Sequence, residues 1–439
     1  MQAITRNISW EFSDKDVTAW GGMRMFKEFY DRTGMREELR RSTLPTPGSN
    51  AGFDPVVVME SFWMSVWIGG NRFSHTAMVR FDNALKKIFG WERVPSVCTF
   101  TRFFKKFNRP EVDRVFNQIN GWFFEQMPQR TITLDLDSTV LTRFGEQEGS
   151  LIGYNPKRPG RPSHHPLMAF ISDLRMVAHS WLRSGNTSSG NGVKAFLNET
   201  IQILGKHQIG LLRADSGFFD GEFFDDLEAK RLEYIIAVRM NPTIKMKIQA
   251  IRNWIKVDGG IECGEFEYQA GPWSKSRRVA VIRQLVEERP EACGKFLFDM
   301  RDYRYQAWVT NLRLPAPEVW RLYRQRADAE NRIEELKYDF GVNGFCLQEF
   351  HATEASFRSV MIAYNLISLF RQAVLGVKSQ HRLQTLRFKC FAIGSWIGKK
   401  YRQSILKVGL TGKRRPWFEG LFSKIEEFTW DWVPKPEVY

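Results

Sequence analysis

The spacing of hydrophobic residues divides the chain into a helical first part and a mixed second part. Residues 1–128 contain apolar runs typical of helices, such as VVVMESFWMSVWIGG, after a loop rich in Pro, Gly and Ser. The period then changes to two, and Leu134 and Leu136 fall on one face of a strand. Asp135 and Asp137 fall on the other face. The pattern predicts a helical N-terminal domain over residues 1–128, followed by a sheet.

Strands and helices alternate after this point. The runs LMAFISD, RMVAHSWL, IGLLRAD and YIIAVRM are strand-like, and helical segments occur near Lys194–Leu204 and in FFDDLEAKRL. The strand IGLLRAD ends at Asp215. Alternation of this kind predicts a mixed α/β sheet for residues 129–239.

Residues 240–315 depart from that rhythm and predict a β-stranded insertion. The runs IECGEFEYQAG, RRVAVIRQLV, KFLFDM and YQAWVTNL are strand-like and are separated by Gly and Pro turns. A long helix, about Pro317–Asp339, and an apolar helix, Ala355–Leu375, come next. We therefore expect residues 316–376 to return to the α/β core and residues 377–439 to form a basic C-terminal region.

The charge of the chain favours a nucleic-acid partner. The 439 residues carry a formal net charge of +15, and aromatic residues make up 14% of them. This combination is expected of a protein that neutralises phosphates and stacks on bases. No acidic residue lies between Ala355 and Phe418, so we predict that cations of this segment bind the phosphates of double-stranded DNA. The candidates are Lys399, Lys400, Arg402, Lys413, Arg414 and Arg415.

A second basic candidate lies in the predicted N-terminal domain, in the segment PSVCTFTRFFKKFNRP. Arg102, Lys105 and Lys106 alternate there with Phe residues, as they do in a helix that faces DNA. An ordinary amphipathic helix with a solvated basic face is an equally open interpretation.

Cysteine spacing and apolar segment length argue against several classes of protein. The five cysteines lie far apart without a C-x-x-C pair, which argues against a zinc knuckle and a disulfide framework and fits a reducing cytoplasm. The N-terminus lacks the pattern of a signal peptide, and the apolar stretch Val56–Gly70 is interrupted by Glu60 and too short to span a bilayer. We expect a soluble, cytoplasmic protein with no membrane partner.

Two of the three acidic positions suited to phosphodiester chemistry lie on predicted strands. Cleavage through two divalent ions requires carboxylates around ions about 3.5 to 4 Å apart. Asp135 and Asp137 project from one strand face, and Asp215 ends another strand, where open α/β sheets form ligand crevices. A D-x-D pair is also common in ordinary strands, and Asp215 with Ser216 and Gly217 is compatible with a simple Asx-turn.

The third acidic position, Glu330, lies on the predicted long helix. The residues at offsets zero, three, seven and fourteen of one helical face are Tyr323, Arg326, Glu330 and Lys337. At 100° per residue they fall within roughly 60° of one another. A carboxylate beside two cations and a phenol is suited to hold a metal ion and DNA phosphates. Ordinary Glu and Arg pairs on a solvated helix are the alternative.

These four residues also form the spacing Y-x2-R-x3-E-x6-K. The spacing resembles the Y-R-E-K signature of bacterial insertion-sequence transposases of the family-four superfamily. The segments LDLDSTV, GYNPKRPGRPSHHPLMAF, RADSGFF and YRQRADAENRIEELKYDFG look more particularly like insertion-sequence family thirteen-eighty. The resemblance covers roughly residues 130–345.

This resemblance implies a transposase of the D-D-E class with an α/β fold, in which the β-stranded insertion interrupts an RNase H-like catalytic core. A small hydroxylated pair follows the first catalytic aspartate of this group, which selects Asp137, before Ser138 and Thr139, over Asp135. Asp215 and Glu330 complete the implied catalytic triad. The same three carboxylates are the implied ligands of a two-metal magnesium site, in which manganese would substitute.

The activity implied by the resemblance is cut-and-paste DNA transposition. Such enzymes hydrolyse one strand at each transposon end, often pass through a hairpin, and transfer the freed 3′-hydroxyl into target DNA. The expected partners are the terminal inverted repeats, the target DNA and a second subunit in a homodimer. The expected location is the bacterial cytoplasm, on the nucleoid when DNA is bound. Alternatives are a nuclease of the same fold and an inactive DNA-binding regulator derived from a transposase.

Aromatic and histidine candidates complete this set of expectations. In related enzymes the insertion carries a tryptophan that stacks on a flipped base, and Trp254, Trp273 and Trp308 are candidates here. A core aromatic role is the alternative for each of them. His164 and His165 are not assigned to the metal, because hard cations prefer carboxylates.

Overall fold

The computed structural model describes residues 10–285, 303–376 and 381–431. The predicted strand KFLFDM and parts of the predicted C-terminal region lie outside these residues. No helix within the described ranges has both the length and the apolar character needed to cross a bilayer.

Short helices around buried aromatic side chains make up the first part of the chain. Asp54, Asp82 and Asn108 cap three of these helices, because a side-chain oxygen of each satisfies a backbone N–H of the first turn. Asn108 accepts from the N–H of Glu111 at 3.0 Å, and the Glu111 carboxylate accepts from the N–H of Asn108 at 2.9 Å. The elements are β1 (Val17–Thr18), α1 (Met23–Thr33), α2 (Met35–Arg41), α3 (Pro55–Trp67), α4 (Ala77–Phe81), α5 (Asn83–Phe89), α6 (Val97–Phe104) and α7 (Arg109–Glu125).

A mixed sheet follows. The elements are β2 (Thr131–Ser138), β3 (Leu141–Thr142), β4 (Ser163–His164), β5 (Leu167–Ile171), β6 (Met176–Trp181), α8 (Val193–Leu204), β7 (Gln208–Ala214), α9 (Gly221–Ala229), β8 (Tyr234–Ala237), α10 (Pro242–Gln249), β9 (Ile255–Asp258), β10 (Ile261–Tyr268), β11 (Arg277–Leu285) and β12 (Tyr303–Thr310). Within the described residues, nine strands pair in the order β6-β5-β2-β7-β8-β12-β11-β10-β9. The pairs β2–β7 and β7–β8 are parallel, and the others are antiparallel. The predicted mixed α/β architecture is confirmed.

The strands β9 to β12 extend this sheet rather than forming a separate one. Trp308 to Thr310 of β12 pair antiparallel with β8. These strands occupy the segment predicted as an insertion, and the predicted domain boundaries stay predictions.

The last part of the chain returns to the core. Its elements are α11 (Ala316–Arg324), α12 (Ala327–Tyr338), α13 (Phe350–Phe370), α14 (Leu383–Leu386), β13 (Ser395–Lys400), β14 (Gln403–Val408) and α15 (Arg415–Glu426). Helix α13 is buried along almost its whole length. Trp63 Nε1 donates to the carbonyl of Ser359 at 3.0 Å, while the Asn365 amide bonds the N–H and the carbonyl of Val177, each at 2.8 Å. Through α13, the N-terminal helices and the sheet share one hydrophobic core.

The prediction of one long helix from Pro317 to Asp339 is wrong, because the helix is broken at Gln325 and Arg326. In a continuous α-helix the carbonyl of Leu322 would accept from the N–H of Arg326. Here Leu322 instead accepts from the guanidinium of Arg213, and the N–H of Arg326 donates to Tyr323 at 2.9 Å. A side chain from β7 therefore bonds the last turn of α11, where the backbone bonding tightens from i+4 to i+3.

Candidate active site

Asp137 lies near the carboxyl end of β2, and its side chain is buried, with 6% of the residue exposed. Arg326 Nη2 donates to Asp137 Oδ2 at 2.8 Å and to the carbonyl of Leu136 at 3.2 Å. Burial raises the pKa of Asp137 to about 6, the charge of Arg326 opposes this, and the charges of Asp215 and Glu330 add to it. The three predicted catalytic carboxylates therefore interact electrostatically.

Asp135, two residues earlier on the same strand face, has a different environment. Arg213 faces it across the parallel β2–β7 pair and donates to it through Nε (2.6 Å) and Nη2 (2.8 Å). Both side chains are buried, and burial raises the pKa of Asp135 although Arg213 opposes the rise. Both carboxylate oxygens of Asp135 are committed to this bidentate pair. Its contacts are those of a structural residue.

Asp215 follows β7 directly and is half-buried. Since β2 and β7 run parallel, their carboxyl ends meet at one edge of the sheet, which brings Asp215 to the side of Asp137. Asp215 Oδ1 accepts from the N–H of Gly217 at 2.8 Å, so the Asx-turn considered from the sequence is present. The turn uses one carboxylate oxygen.

Glu330 lies in the first turn of α12 and is exposed. The helix break leaves α12 to begin directly after Arg326, whose side chain turns inward to Asp137. Arg326 and Glu330, two neighbours on the predicted helix face, differ in burial. Arg326 contacts the buried aspartate, while the Glu330 carboxylate remains accessible to solvent.

Tyr323 and Lys337 flank the same edge of the sheet. The Tyr323 hydroxyl lies 3.4 Å from the carbonyl of Ala214, and burial raises its pKa. Lys337 Nζ donates to the hydroxyl of Thr139. Burial, with a smaller contribution from the charge of Lys157, lowers the pKa of Lys337 to about 8.

The carboxylates of Asp137, Asp215 and Glu330 fit a hard divalent cation in kind, because such ions prefer oxygen ligands. Their arrangement is not closed around a cation, and among the residues that the structure describes no three His, Cys, Asp or Glu side chains are grouped as metal ligands. The negative charge of Asp137 is compensated by the guanidinium of Arg326, which forms a salt bridge with it.

The basic DNA-binding candidates of the N-terminal and C-terminal regions have the following surroundings. In the N-terminal region Arg102 is exposed, Lys105 pairs with Glu349 at 2.7 Å, and Lys106 donates to the carbonyl of Thr46. Lys399, Lys400 and Arg402 lie on the β13–β14 hairpin. Further along, Lys413 is exposed, Arg414 donates to the carbonyl of Lys389 (2.6 Å) and Arg415 to that of Leu410 (3.1 Å).

Sequence reasoning missed three residues near the candidate site. Arg213 neutralises Asp135 and bonds the last turn of α11, and its only sequence signal is a charged residue inside an apolar strand. Lys157 lies in the basic run KRPGR, and its charge helps to lower the pKa of Lys337. Ser189, in the loop before α8, shares a hydrogen bond of 2.8 Å with Ser138, and nothing in its sequence context indicates this contact.

The tryptophan and histidine candidates differ in accessibility. Trp308 is buried against Tyr323, with ring centroids 5.3 Å apart, and Trp273 is buried beside α9. Trp254 is half-exposed, and the guanidinium of Arg283 lies over its ring, 4.1 Å from the ring centroid. His164 is buried, accepts from Arg143 Nε at 2.9 Å and has a pKa lowered by burial to about 4. His165 is buried too and bonds the carbonyl of Thr187 at 2.6 Å.

The structure thus has a large mixed sheet with Asp137 and Asp215 at the carboxyl ends of two adjacent parallel strands. Residues 2–430 match the family model described as transposase DDE domain, group 1. The chain belongs to this family of DDE transposase domains. No curated protein matches it significantly.

One solved structure to which the chain is similar is the cryo-EM structure of a piggyBac transposase synaptic complex with hairpin DNA. The sequence identity is 14% and the TM-score is 0.46, over 86% of this chain and 81% of that chain.

Proposed function

We propose that this protein is a DNA transposase that cleaves DNA at transposon ends and joins the freed 3′-hydroxyl to target DNA by a cut-and-paste route. The observation that carries the proposal is the placement of Asp137 and Asp215 side by side at the carboxyl ends of the adjacent parallel strands β2 and β7. Membership of the DDE transposase family supports it.

In this proposal Asp137, Asp215 and Glu330 are the catalytic residues and hold the metal ions. DDE transposases generally use divalent metals, and we propose magnesium at two positions, with manganese as a substitute. A bound divalent ion would stabilise negative charge on the entering and leaving oxygens of the phosphodiester. Asp135 is excluded from this role because Arg213 occupies both of its carboxylate oxygens.

Tyr323, Arg326 and Lys337 would complete a Y-R-E-K set with Glu330, as in the family-four superfamily and in insertion-sequence family thirteen-eighty. We propose that Lys337 and Tyr323 contact the DNA backbone beside the scissile phosphate. Arg326, which now pairs with Asp137, would exchange this carboxylate for a phosphate when DNA binds. The surrounding fold would be an RNase H-like core in two parts, residues 129–239 and 316–376, with an insertion at 240–315.

The DNA partners in this proposal are the terminal inverted repeats and the target duplex, bound by a homodimer on the bacterial nucleoid. The basic positions of α6 and of the C-terminal region would supply contacts away from the chemistry. If the excised ends pass through hairpins, Trp254 is the best placed of the three tryptophans to stack on a flipped base, because it is the least buried.

The proposal is tested by cleavage of a supercoiled plasmid that carries the element's own ends, with and without magnesium. Asp137→Asn, Asp215→Asn and Glu330→Gln should each abolish cutting while DNA binding survives. Glu334→Gln is the matched control, because Glu334 is an exposed glutamate of the same helix that pairs with Arg382 at 3.1 Å. It should cleave at the wild-type rate.

The same assay with a target plasmid added separates the alternatives. A nuclease of the same fold would cut the plasmid without ever joining ends to a target. An inactive regulator would bind the ends and never cut with magnesium or manganese, which would contradict the proposal.

A further inference from the structure

The β13–β14 hairpin is anchored at its base by a third strand. Its strands pair from Ser395↔Val408 to Lys400↔Gln403, and β1 adds a third strand at the base. The adjoining Gly21 donates to the carbonyl of Ile393 at 2.9 Å, and a Cβ on Gly21 would lie 1.8 Å from the hydroxyl of Ser395. The absence of a side chain at Gly21 thus allows this close approach.

The other end of the hairpin projects into solvent. All residues from 399 to 404 are exposed, and the tip is the two-residue turn Tyr401–Arg402. Tyr401 is 94% exposed and has a φ of 56°, which is unfavourable for a side chain of this size. A large aromatic residue is therefore held in solvent, in a strained conformation that glycine would adopt more easily.

The tip is strongly cationic. Lys399, Lys400 and Arg402 flank Tyr401, and within the described part of the chain none of the three has a carboxylate within ion-pairing distance. The sequence from 355 to 418 contains no acidic residue. Such a surface attracts a polyanion and repels a second copy of itself.

We infer that the hairpin tip inserts into the major groove of duplex DNA, with Tyr401 against the base edges and the three cations on the phosphates of the groove walls. A two-stranded ribbon fits a groove about 12 Å wide but not the minor groove of about 6 Å. The exposed tip spans about three residues per strand, or roughly 10 Å, close to the major-groove depth of about 8.5 Å. This inference rests on the proposed function, since it adds a DNA contact to that enzyme.

The test is fluorescence anisotropy of a labelled blunt duplex of mixed sequence and of its single strand, in EDTA, over a series of salt concentrations. Neutralising the tip with Lys399→Gln, Lys400→Gln and Arg402→Gln together should lower the salt slope of duplex binding by about 2 to 3. Tyr401→Gly should weaken duplex binding about fivefold without changing the slope. Because glycine relieves the positive φ, this variant should be at least as stable as the wild type.

Arg231→Gly is the matched control. Arg231 is an exposed residue with a φ of 57° before β8, at the opposite edge of the sheet from Asp215. It should bind duplex DNA with nearly wild-type affinity.

Wild-type binding by both hairpin variants would overturn the inference and leave the transposase proposal standing. Failure of the wild-type chain to bind any duplex would overturn both. Groove insertion by Tyr401 would be overturned if the hairpin variants bound the single strand more weakly but the duplex as well as the wild type does. It would also be overturned if only the charge variant lost affinity for the duplex.

Discussion

Removal of the Arg213 guanidinium should destabilise the protein more than removal of almost any surface charge. Arg213 is 0% exposed, and it bonds both oxygens of Asp135, the hydroxyl of Ser172 at 2.8 Å and the carbonyl of Leu322. It thereby connects β7 with β2, with the turn after β5 and with the end of α11. Arg213→Met preserves much of the side-chain volume but leaves a buried carboxylate without a partner.

The expected loss is about 3 to 5 kcal/mol of unfolding free energy, the usual cost of breaking a buried pair from one side. That is a large part of a typical total of about 5 to 15 kcal/mol. The matched control is Arg24→Met, which breaks a partly exposed pair with Glu28 at 2.8 Å and should cost less than about 1 kcal/mol.

Urea unfolding followed by tryptophan fluorescence measures both values. The loss in Arg213→Met should shrink as the pH falls from about 7 towards about 4, because the unpaired Asp135 then binds a proton in the folded state at a pH where the unfolded state does not. The double variant Arg213→Met with Asp135→Leu should recover part of the stability. A loss below about 1 kcal/mol in the single variant, or no recovery in the double variant, would refute the structural role of the pair.

Three further predictions concern the candidate site. Arg326→Gln should bind manganese about tenfold more tightly without DNA, because a cation beside Asp137 is removed, and unchanged affinity in titration calorimetry would contradict this. Lys337 is charged below its pKa of about 8, so DNA affinity measured by anisotropy should fall as the pH rises through about 8. Lys337→Gln should remove this pH dependence, and its persistence would mean that another group titrates. Asp215→Asn should keep the melting temperature of the wild type, since an amide oxygen can still accept from the N–H of Gly217. Asp215→Ala should lower the free energy of unfolding by about 1 kcal/mol, and with it the melting temperature. Equal melting temperatures of the two variants would show that the turn does not need this acceptor.

The strands that carry the acidic residues could be predicted because their patterns are local. The period-two run of β2 and the apolar run of β7 both appear in the structure, and Asp215 directly follows β7. The burial of the β2 face at Asp135 and Asp137 was not predictable, because the strand pattern alone does not show what covers these two carboxylates. It is buried because Arg213 and Arg326 arrive from distant parts of the chain.

The break between α11 and α12 was also beyond sequence reasoning. No Gly or Pro occurs at 325 or 326, and local helix propensity favours continuity. Two tertiary contacts lie at the break, Arg213 with the carbonyl of Leu322 and Arg326 with Asp137. Neither contact leaves a periodic signal, so the helical-face argument grouped Tyr323, Arg326, Glu330 and Lys337 without predicting the turn between α11 and α12.

Strand transfer tests whether this protein is a D-D-E transposase that uses Asp137. A labelled, pre-cut transposon end with a free 3′-hydroxyl is incubated with a target plasmid, magnesium and either wild-type protein or Asp137→Asn. We predict that the wild type joins the labelled end to the plasmid only when magnesium is present, and that Asp137→Asn binds the end equally well but forms no joined product. Joining by Asp137→Asn at the wild-type rate, or degradation of the end by the wild type without any joined product, would contradict the assignment of this protein as a D-D-E transposase that uses Asp137.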